Sequence, residues 1–254
     1  MTEPNAIYPS LEGRVVFITG GGTGIGAAMT RAFCAQRARV AFVDIAETES
    51  RALVDDIGGD HAPLFIPCDL RDIPALQASI ERVRRELGPV GALVNNAAND
   101  DRHDLESVTL DYWNERIAIN QRPMFFAIQS VLSHMRQLGG GSIINFGSMS
   151  WKAGTPRVPV YASAKASAHG LTRSVARDFG KENIRANTIV PGWVMTERQR
   201  SLWLTAEGER TIDANQFLAG RVQPDDLAAM ALFLAADDSR MCSAQEFTVD
   251  GGWV

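Results

Sequence analysis

The chain has 254 residues, with 25 Lys plus Arg against 30 Asp plus Glu and a formal charge of −5. At 45% hydrophobic and 22% charged it has the composition of a globular protein with ample core, neither disordered nor fibrous. An acidic balance with no Lys/Arg run argues against a nucleic-acid or anionic-membrane surface, and the basic side is lopsided, with three lysines (Lys152, Lys165, Lys181) beside 22 arginines.

In chain order, residues 15–19 are a continuous apolar run, as expected of a strand buried on both faces. The run stops at a glycine loop, residues 20–26, and a helical pattern follows to about Arg37. Residues 40–43 read as a second strand ending at Asp44, and 64–66 as a third ending at Cys68-Asp69. Pro74 suits the first turn of the next helix. A fourth strand at 92–94 ends at Asn95-Asn96. A long helical stretch over 111–138 contains Pro123, which predicts a kink near Ile119-Asn120. Residues 142–146 are the fifth strand, 160–179 a helix, and 186–190 the sixth strand, cut by Pro191-Gly192. Residues 193–220 look irregular or short-helical. Pro224-Asp225-Asp226 opens another helix, with proline and acids in its first turn, and 246–249 closes as a seventh strand. Strands separated by helices of this length imply right-handed crossovers. The fold class is α/β: one doubly wound Rossmann-type domain over 1–254, with a seven-stranded parallel sheet flanked by helices on both faces. Ligands of such sheets bind beyond the carboxyl ends of the strands.

Cys34, Cys68 and Cys242 are far apart and form no C-x-x-C pair, which suits a reducing cytoplasm rather than a disulfide framework. The four histidines lack metal-ligand spacing, so no metal is expected. The first ten residues have no apolar core and do not read as a signal peptide. The longest mostly apolar run, 227–236, is about half of the ~20 residues a membrane helix needs.

The loop after the first strand does not fit G-x-G-x-x-G; only the variant ending in alanine can be laid on Gly22, Gly24 and Ala27. It fits T-G-x-x-x-G-x-G, with Thr19, Gly20, Gly24 and Gly26. Glycines let backbone approach a phosphate, and the following helix offers free N–H groups and a positive dipole end. Asp44 ends the second strand. A carboxylate there accepts hydrogen bonds from a ribose diol and repels a 2′-phosphate. Neither Ile45 nor the loop is basic, so NAD is favoured over NADP.

Tyr161 and Lys165 are four apart in a helical segment, hence on one face. A neighbouring ammonium favours a phenolate, so the pair suits general base work; alone, Y-x-x-x-K occurs often by chance and more usually describes a pair on a helix surface. It is joined by Ser148, just after the fifth strand, and by Asn120 at the expected kink.

With these motifs the chain resembles the short-chain dehydrogenase/reductase family from residue 14 to about 252. The matching residues are Thr19-Gly20…Gly24…Gly26, Asp69, Asn95-Asn96-Ala97, Asn120, Ser148, Tyr161…Lys165 and Pro191-Gly192. The resemblance implies Tyr161 as general acid/base, with Lys165 lowering its pKa and holding the nicotinamide ribose. Ser148 would position the reacting oxygen, and Asn120 would anchor a water relay. It implies a dinucleotide held by Gly20, Thr23, Gly24, Ile25, Gly26, Asp44, Ile45, Asp69 and Leu70. Asn96, Ala97, Ala98, Tyr161, Lys165, Pro191, Gly192, Val194 and Thr196 would continue the site, and Asn95 would support the central strand. Ala98 stands where the family usually has glycine. The family is mostly tetrameric, so a homotetramer is expected, with the Trp253-Val254 end suited to an interface.

Residues outside the shared motifs, among them 99–103, 112–116, Trp193, 196–199 and 241–253, are similar to those of bacterial aldose dehydrogenases, which oxidise a sugar at the anomeric carbon to the lactone. Asn99, Ser150, Trp151, Trp193 and Gln199, with Ser148 and Tyr161, could supply the polar and aromatic partners a sugar needs. Core or subunit packing stands beside this for each tryptophan. The Asp100-Asp101-Arg102 cluster is expected to be a solvated loop or an interface salt bridge. Residues 197–220 would form a lid. Reduction of a 3-oxoacyl thioester or small ketone, and a non-catalytic dinucleotide sensor, stay open as alternatives.

Overall fold

The computed structural model describes residues 6–254. The expectation for the first ten residues therefore falls partly outside the described residues. The strands are β1 (Val15–Thr19), β2 (Arg39–Asp44), β3 (Leu64–Pro67), β4 (Ala92–Asn95), β5 (Gly141–Phe146), β6 (Ile184–Pro191) and β7 (Glu246–Val249). They form one sheet in the order β3-β2-β1-β4-β5-β6-β7, every pair parallel. The helices are α1 (Gly24–Ala35), α2 (Glu47–Ile57), α3 (Ile73–Glu86), α4 (Leu110–Asn120), α5 (Arg122–Gln137), α6 (Pro159–Phe179), α7 (Glu197–Leu202), α8 (Ala206–Asn215) and α9 (Pro224–Ala235). No helix among the described residues is long and apolar enough to cross a membrane.

The unbroken apolar runs follow from a sheet covered twice. Val16 and Ile18 of β1 face one core with Met29 and Phe33 of α1 and Leu232 of α9. Val15 and Phe17 face the other, with Leu76 and Ile80 of α3 and Val131 of α5. Alternation along a strand points successive side chains to opposite faces, so both sets must be apolar. β1 has β2 on one side and β4 on the other. The winding reverses there, which opens a crevice beyond their carboxyl ends.

The stretch expected as one kinked helix is two. α4 ends at Asn120, Gln121 departs to φ −131°, ψ −53°, and α5 restarts with Pro123 in its first turn. Proline's missing N–H is harmless in a first turn, whereas inside a helix its ring would clash with the carbonyl of residue 119. The break is thus cheaper than a kink. It fixes Asn120 at a helix end.

Some of the arginines serve the fold. Arg14 Nη1 donates to the carbonyl of Ala235 (2.6 Å), and Arg185 Nη2 to those of Leu234 (2.9 Å) and Ala236 (3.2 Å). They gather the carbonyls that α9 leaves unpaired at its C-terminus, where cations are favoured. Under the crevice runs a buried polar chain. Asn95 Nδ2 donates to Asn145 Oδ1 (2.9 Å), Asn145 Nδ2 to Thr172 Oγ1 (2.9 Å), and Thr172 and Thr188 share a hydroxyl bond (2.8 Å). It ties β4, β5 and β6 to α6.

Candidate active site

At the β1/β4 switch the two motifs lock together. Thr19 Oγ1 accepts from the N–H groups of Asn96 (3.1 Å) and Ala97 (3.2 Å), and Asn96 Nδ2 donates to the carbonyls of Thr19 (3.1 Å) and Gly20 (2.9 Å). Gly20 turns at φ +65°, and a Cβ on Gly26 would lie 1.7 Å from the Gly20 carbonyl oxygen. No side chain fits between them, so the loop stays close to the start of α1 and its free N–H groups. Both oxygens of Asp44 are held by main chain: Oδ2 accepts from Gly22 N–H (2.9 Å) and Oδ1 from Ala46 N–H (3.0 Å). The carboxylate is therefore set at a fixed point of the cleft wall.

The cleft has a volume of about 1250 Å³. Every dinucleotide residue expected from the sequence lines it, from Gly20 and Asp44 through Asp69 and Asn96 to Pro191 and Thr196. The glycine cradle, the fixed carboxylate and this length of groove fit an extended dinucleotide. Thr196 also caps α7, accepting from Gln199 N–H (3.2 Å).

Ser148, Tyr161 and Lys165 meet at the other end of the groove. Ser148 leaves β5 in extended backbone, and its Oγ accepts from Ser150 N–H (3.1 Å). Tyr161 lies in the first turn of α6, near the positive end of the helix dipole. Lys165, one turn on, is 1% exposed. Its Nζ donates to the Phe146 carbonyl (2.8 Å) and stands 5.9 Å from the centre of the Tyr161 ring.

The lowered phenol pKa expected from the pair is not what these surroundings give. Burial pushes the Tyr161 phenol above the usual tyrosine range and the Asp100 carboxylate adds to this, while the Ser148 hydroxyl and Arg102 pull the other way. Burial brings Lys165 down to about 8, opposed by Asp100. Removing both groups from water penalises each charged form, and the ammonium is turned toward a carbonyl.

Asn120 is 2% exposed and does not line the cleft. Its side chain clamps the backbone of Asn99, accepting from the N–H (2.8 Å) and donating to the carbonyl (3.1 Å).

Among the substrate residues, Asn99, Ser150, Trp193 and Gln199 line the cleft with Ser148 and Tyr161. Trp151 does not. The short 3-10 turn after Ser148 carries Ser150 inward and leaves Trp151 on the outside, 40% exposed, its Nε1 donating to His169 Nε2 (3.3 Å). The acidic cluster has partners in the chain that the sequence did not suggest. Within the chain it pairs with the lid side of the cleft, while Asp101 and Arg198 stay about half exposed, at 47% and 46%. Arg198 reaches Asp100 Oδ1 (3.3 Å) and Asp101 Oδ1 (2.8 Å), and Gln199 Nε2 donates to Asp100 Oδ2 (2.7 Å). Sequence reading missed Asp100, Trp203 and Trp253, which all line the cleft; Arg102 stacks over Trp203 at 5.1 Å. The one hint was tryptophan itself: three of the chain's five are here.

A family model described as enoyl-(acyl carrier protein) reductase matches residues 20–254. The chain is 48% identical over 250 residues to a D-xylose 1-dehydrogenase of Caulobacter vibrioides, covering 98% of this chain and 99% of that one. It is 47% identical over 254 residues to a probable galactose dehydrogenase of Rhizobium meliloti, covering 99% of each. A solved 7α-hydroxysteroid dehydrogenase, complexed with NADH and 7-oxo glycochenodeoxycholic acid, superposes with a TM-score of 0.91 at 32% identity, over 97% of this chain and 96% of that one. The architecture, the interlocked glycine and asparagine motifs and the Ser148, Tyr161, Lys165 constellation agree with these matches, and the chain belongs to the short-chain dehydrogenase/reductase family, as an oxidoreductase acting on CH–OH groups.

Proposed function

We propose that the protein oxidises an aldose at its anomeric carbon to the lactone, with NAD⁺ and with Tyr161 as general base. One observation carries this reading: the groove end that holds Tyr161 opens onto a pocket wall both aromatic and polar, with Trp193, Trp203, Trp253, Asn99 and Ser150. A sugar offers apolar ring faces and hydroxyls to such a wall. The relatives at 48% and 47% identity, named for xylose and galactose, support it.

Asp44 supports NAD over NADP, since its carboxylate is fixed beside the glycine loop and would repel a 2′-phosphate. Arg71, the guanidinium lining that end, is already engaged by Asp69 (2.6 Å) and Glu115 (3.5 Å). The glycine loop, Asp44 and Asp69 would hold the adenosine half of the dinucleotide, and Asn96, Lys165 and Thr196 the nicotinamide half. When bound, it supplies the acceptor for the hydride leaving C1. The proton belongs to this chain's residues. Ser148 holds the anomeric oxygen, and the Tyr161 oxygen takes its proton as the C–O bond gains double-bond character. Burial raises the pKa of the phenol, so forming the phenolate that accepts this proton depends on positive charge nearby, from Lys165 and the start of α6.

Residues 197–220, with α7 and α8 over the cleft, act as a lid in this reading. Leu110, Trp113 and Phe125 leave an apolar, exposed face on α4 and α5 that suits subunit packing in a homotetramer. Three free cysteines suit the cytoplasm.

Reduction of a 3-oxoacyl thioester would use the same residues; the matched family model is described for an enoyl reductase, which also acts on acyl-carrier-bound chains but reduces C=C rather than C=O. The test is to mix the protein with NAD⁺ or NADP⁺ and a panel of pentoses, hexoses, polyols and secondary alcohols, and to follow nicotinamide absorbance. Aldose turnover with NAD⁺ is expected. Turnover only of oxoacyl substrates in the reductive direction overturns the reading, and cofactor binding without turnover favours a sensor.

A further inference from the structure

We propose that Asp100 selects the substrate: its carboxylate accepts a hydrogen bond from the substrate hydroxyl on the carbon next to the reacting one, while Arg198 and Gln199 of the lid hold it in place. The inference rests on the sugar-oxidising reading and names the group that tells a sugar from a simple alcohol.

The loop is built to hold a side chain still. Asn120 clamps both backbone groups of Asn99, and Asn99 Oδ1 accepts from Asp101 N–H (3.0 Å). Asp101 is tied in turn by Arg116 (3.1 Å), whose side chain is 7% exposed. Asp100 sits between these two anchored residues and faces the cleft, its side chain 21% exposed. A group held this way loses little freedom when it binds.

The acceptor count leaves room for a ligand. A carboxylate offers about four lone-pair positions. Each oxygen of Asp100 accepts one bond, from Arg198 Nε (3.3 Å) and Gln199 Nε2 (2.7 Å). A hydroxyl donating to what remains would make a charge-assisted bond. Asp100 lines the cleft together with Ser148, Tyr161 and Lys165, and its charge acts on the last two; the hydroxyl on the carbon next to the reacting one is assigned to it. Its charge works against the Tyr161 phenolate while favouring the Lys165 ammonium, so it offers the base no direct help. The Ser150 Oγ, on the facing turn, is buried without a protein partner and lines the same pocket. Both features suit a polyhydroxylated substrate, and neither serves an isolated secondary alcohol.

The experiment compares kcat/KM for the best aldose and its 2-deoxy analogue in wild type, Asp100→Ala and Arg198→Ala. NADH binding, read by fluorescence, reports that each variant is folded with an intact cofactor groove. Asp100→Ala is expected to lose roughly 10–100-fold on the aldose and about twofold or less on the deoxy sugar, so the selectivity ratio collapses. Arg198→Ala, which keeps the carboxylate, should raise KM for both sugars and preserve most of the ratio. An equal loss on both sugars in Asp100→Ala, or an equal collapse of the ratio in Arg198→Ala, overturns the proposal. If wild type oxidises no aldose but does oxidise another alcohol, the sugar reading fails. The same comparison on a 1,2-diol and its mono-alcohol then judges Asp100 independently, an unchanged ratio in Asp100→Ala overturning its role. No turnover of any alcohol overturns both.

Discussion

At the β1–β2–β4 end of the groove the wall is largely main chain, whereas at the far end it is side chains. The first region is set by Gly20, Gly26, Thr19 and Asn96, whose contacts are short in space and nearly all involve backbone. The second is assembled from residues far apart in sequence: Asp100 meets Arg198, and Arg102 meets Trp203. A backbone cradle binds what all dinucleotides share and tolerates little change. A wall of long side chains can be exchanged piece by piece, which makes it the region that sets substrate choice.

The division has measurable consequences. The largest loss should come where the two regions meet. Tyr161→Phe is expected to cut turnover by about 10²–10⁴-fold while NADH binding stays near wild type. Lys165→Arg should also lose most activity despite keeping the charge. Lys165 is 1% exposed and its ammonium ends on the Phe146 carbonyl, so a planar guanidinium has no room there. In the first region, Gly26→Ala places a carbon on the Gly20 carbonyl. Overpacking of about 1–3 kcal/mol should weaken NADH binding roughly 10–100-fold, read by fluorescence titration, with sugar selectivity unchanged. In the second region, Trp203→Phe weakens the stack with Arg102 and should raise the sugar KM a few-fold, from about 0.5–1 kcal/mol, without moving NADH affinity. A change in NADH affinity as large as the change in KM would mean that the two regions are not separable.

The last effect is one of stability and concerns neither region. Burial holds His134 and His169 below the ordinary histidine value of 6.5, Glu246 opposing this at His169. His134 also accepts from Val90 N–H through Nδ1 (3.3 Å), a bond its protonation would remove. The unfolded chain binds protons at these sites more readily than the folded one. Stability is therefore fully present above pH 6.5 and falls as the pH drops below it, by up to about 1.4 kcal/mol per pH unit for each histidine. Chemical denaturation at pH 7 and pH 5.5 checks this; equal midpoints would contradict it.

Scarce lysine was the sharpest compositional clue, and the structure explains part of it. Arg14 and Arg185 grip helix carbonyls and Arg198 a carboxylate at Nε, tasks suited to a forked donor set. Lys165 is the ammonium placed against Tyr161.

The sheet, its order of elements and the dinucleotide groove were readable from the chain because strand, tight loop and helix N-terminus impose fixed local spacings. Thr19, Gly20, Gly24 and Gly26 can be recognised by counting, and so can Tyr161 and Lys165, one helical turn apart. Other features answered to forces that no spacing records. The break at Gln121 reflects where Pro123 can be tolerated, and the outward turn of Trp151 follows from one 3-10 turn after Ser148. The approach of Arg198 to Asp100 spans 98 residues of chain. Long side chains reach across whatever the packed layers bring near them, so their partners were decided only by tertiary structure.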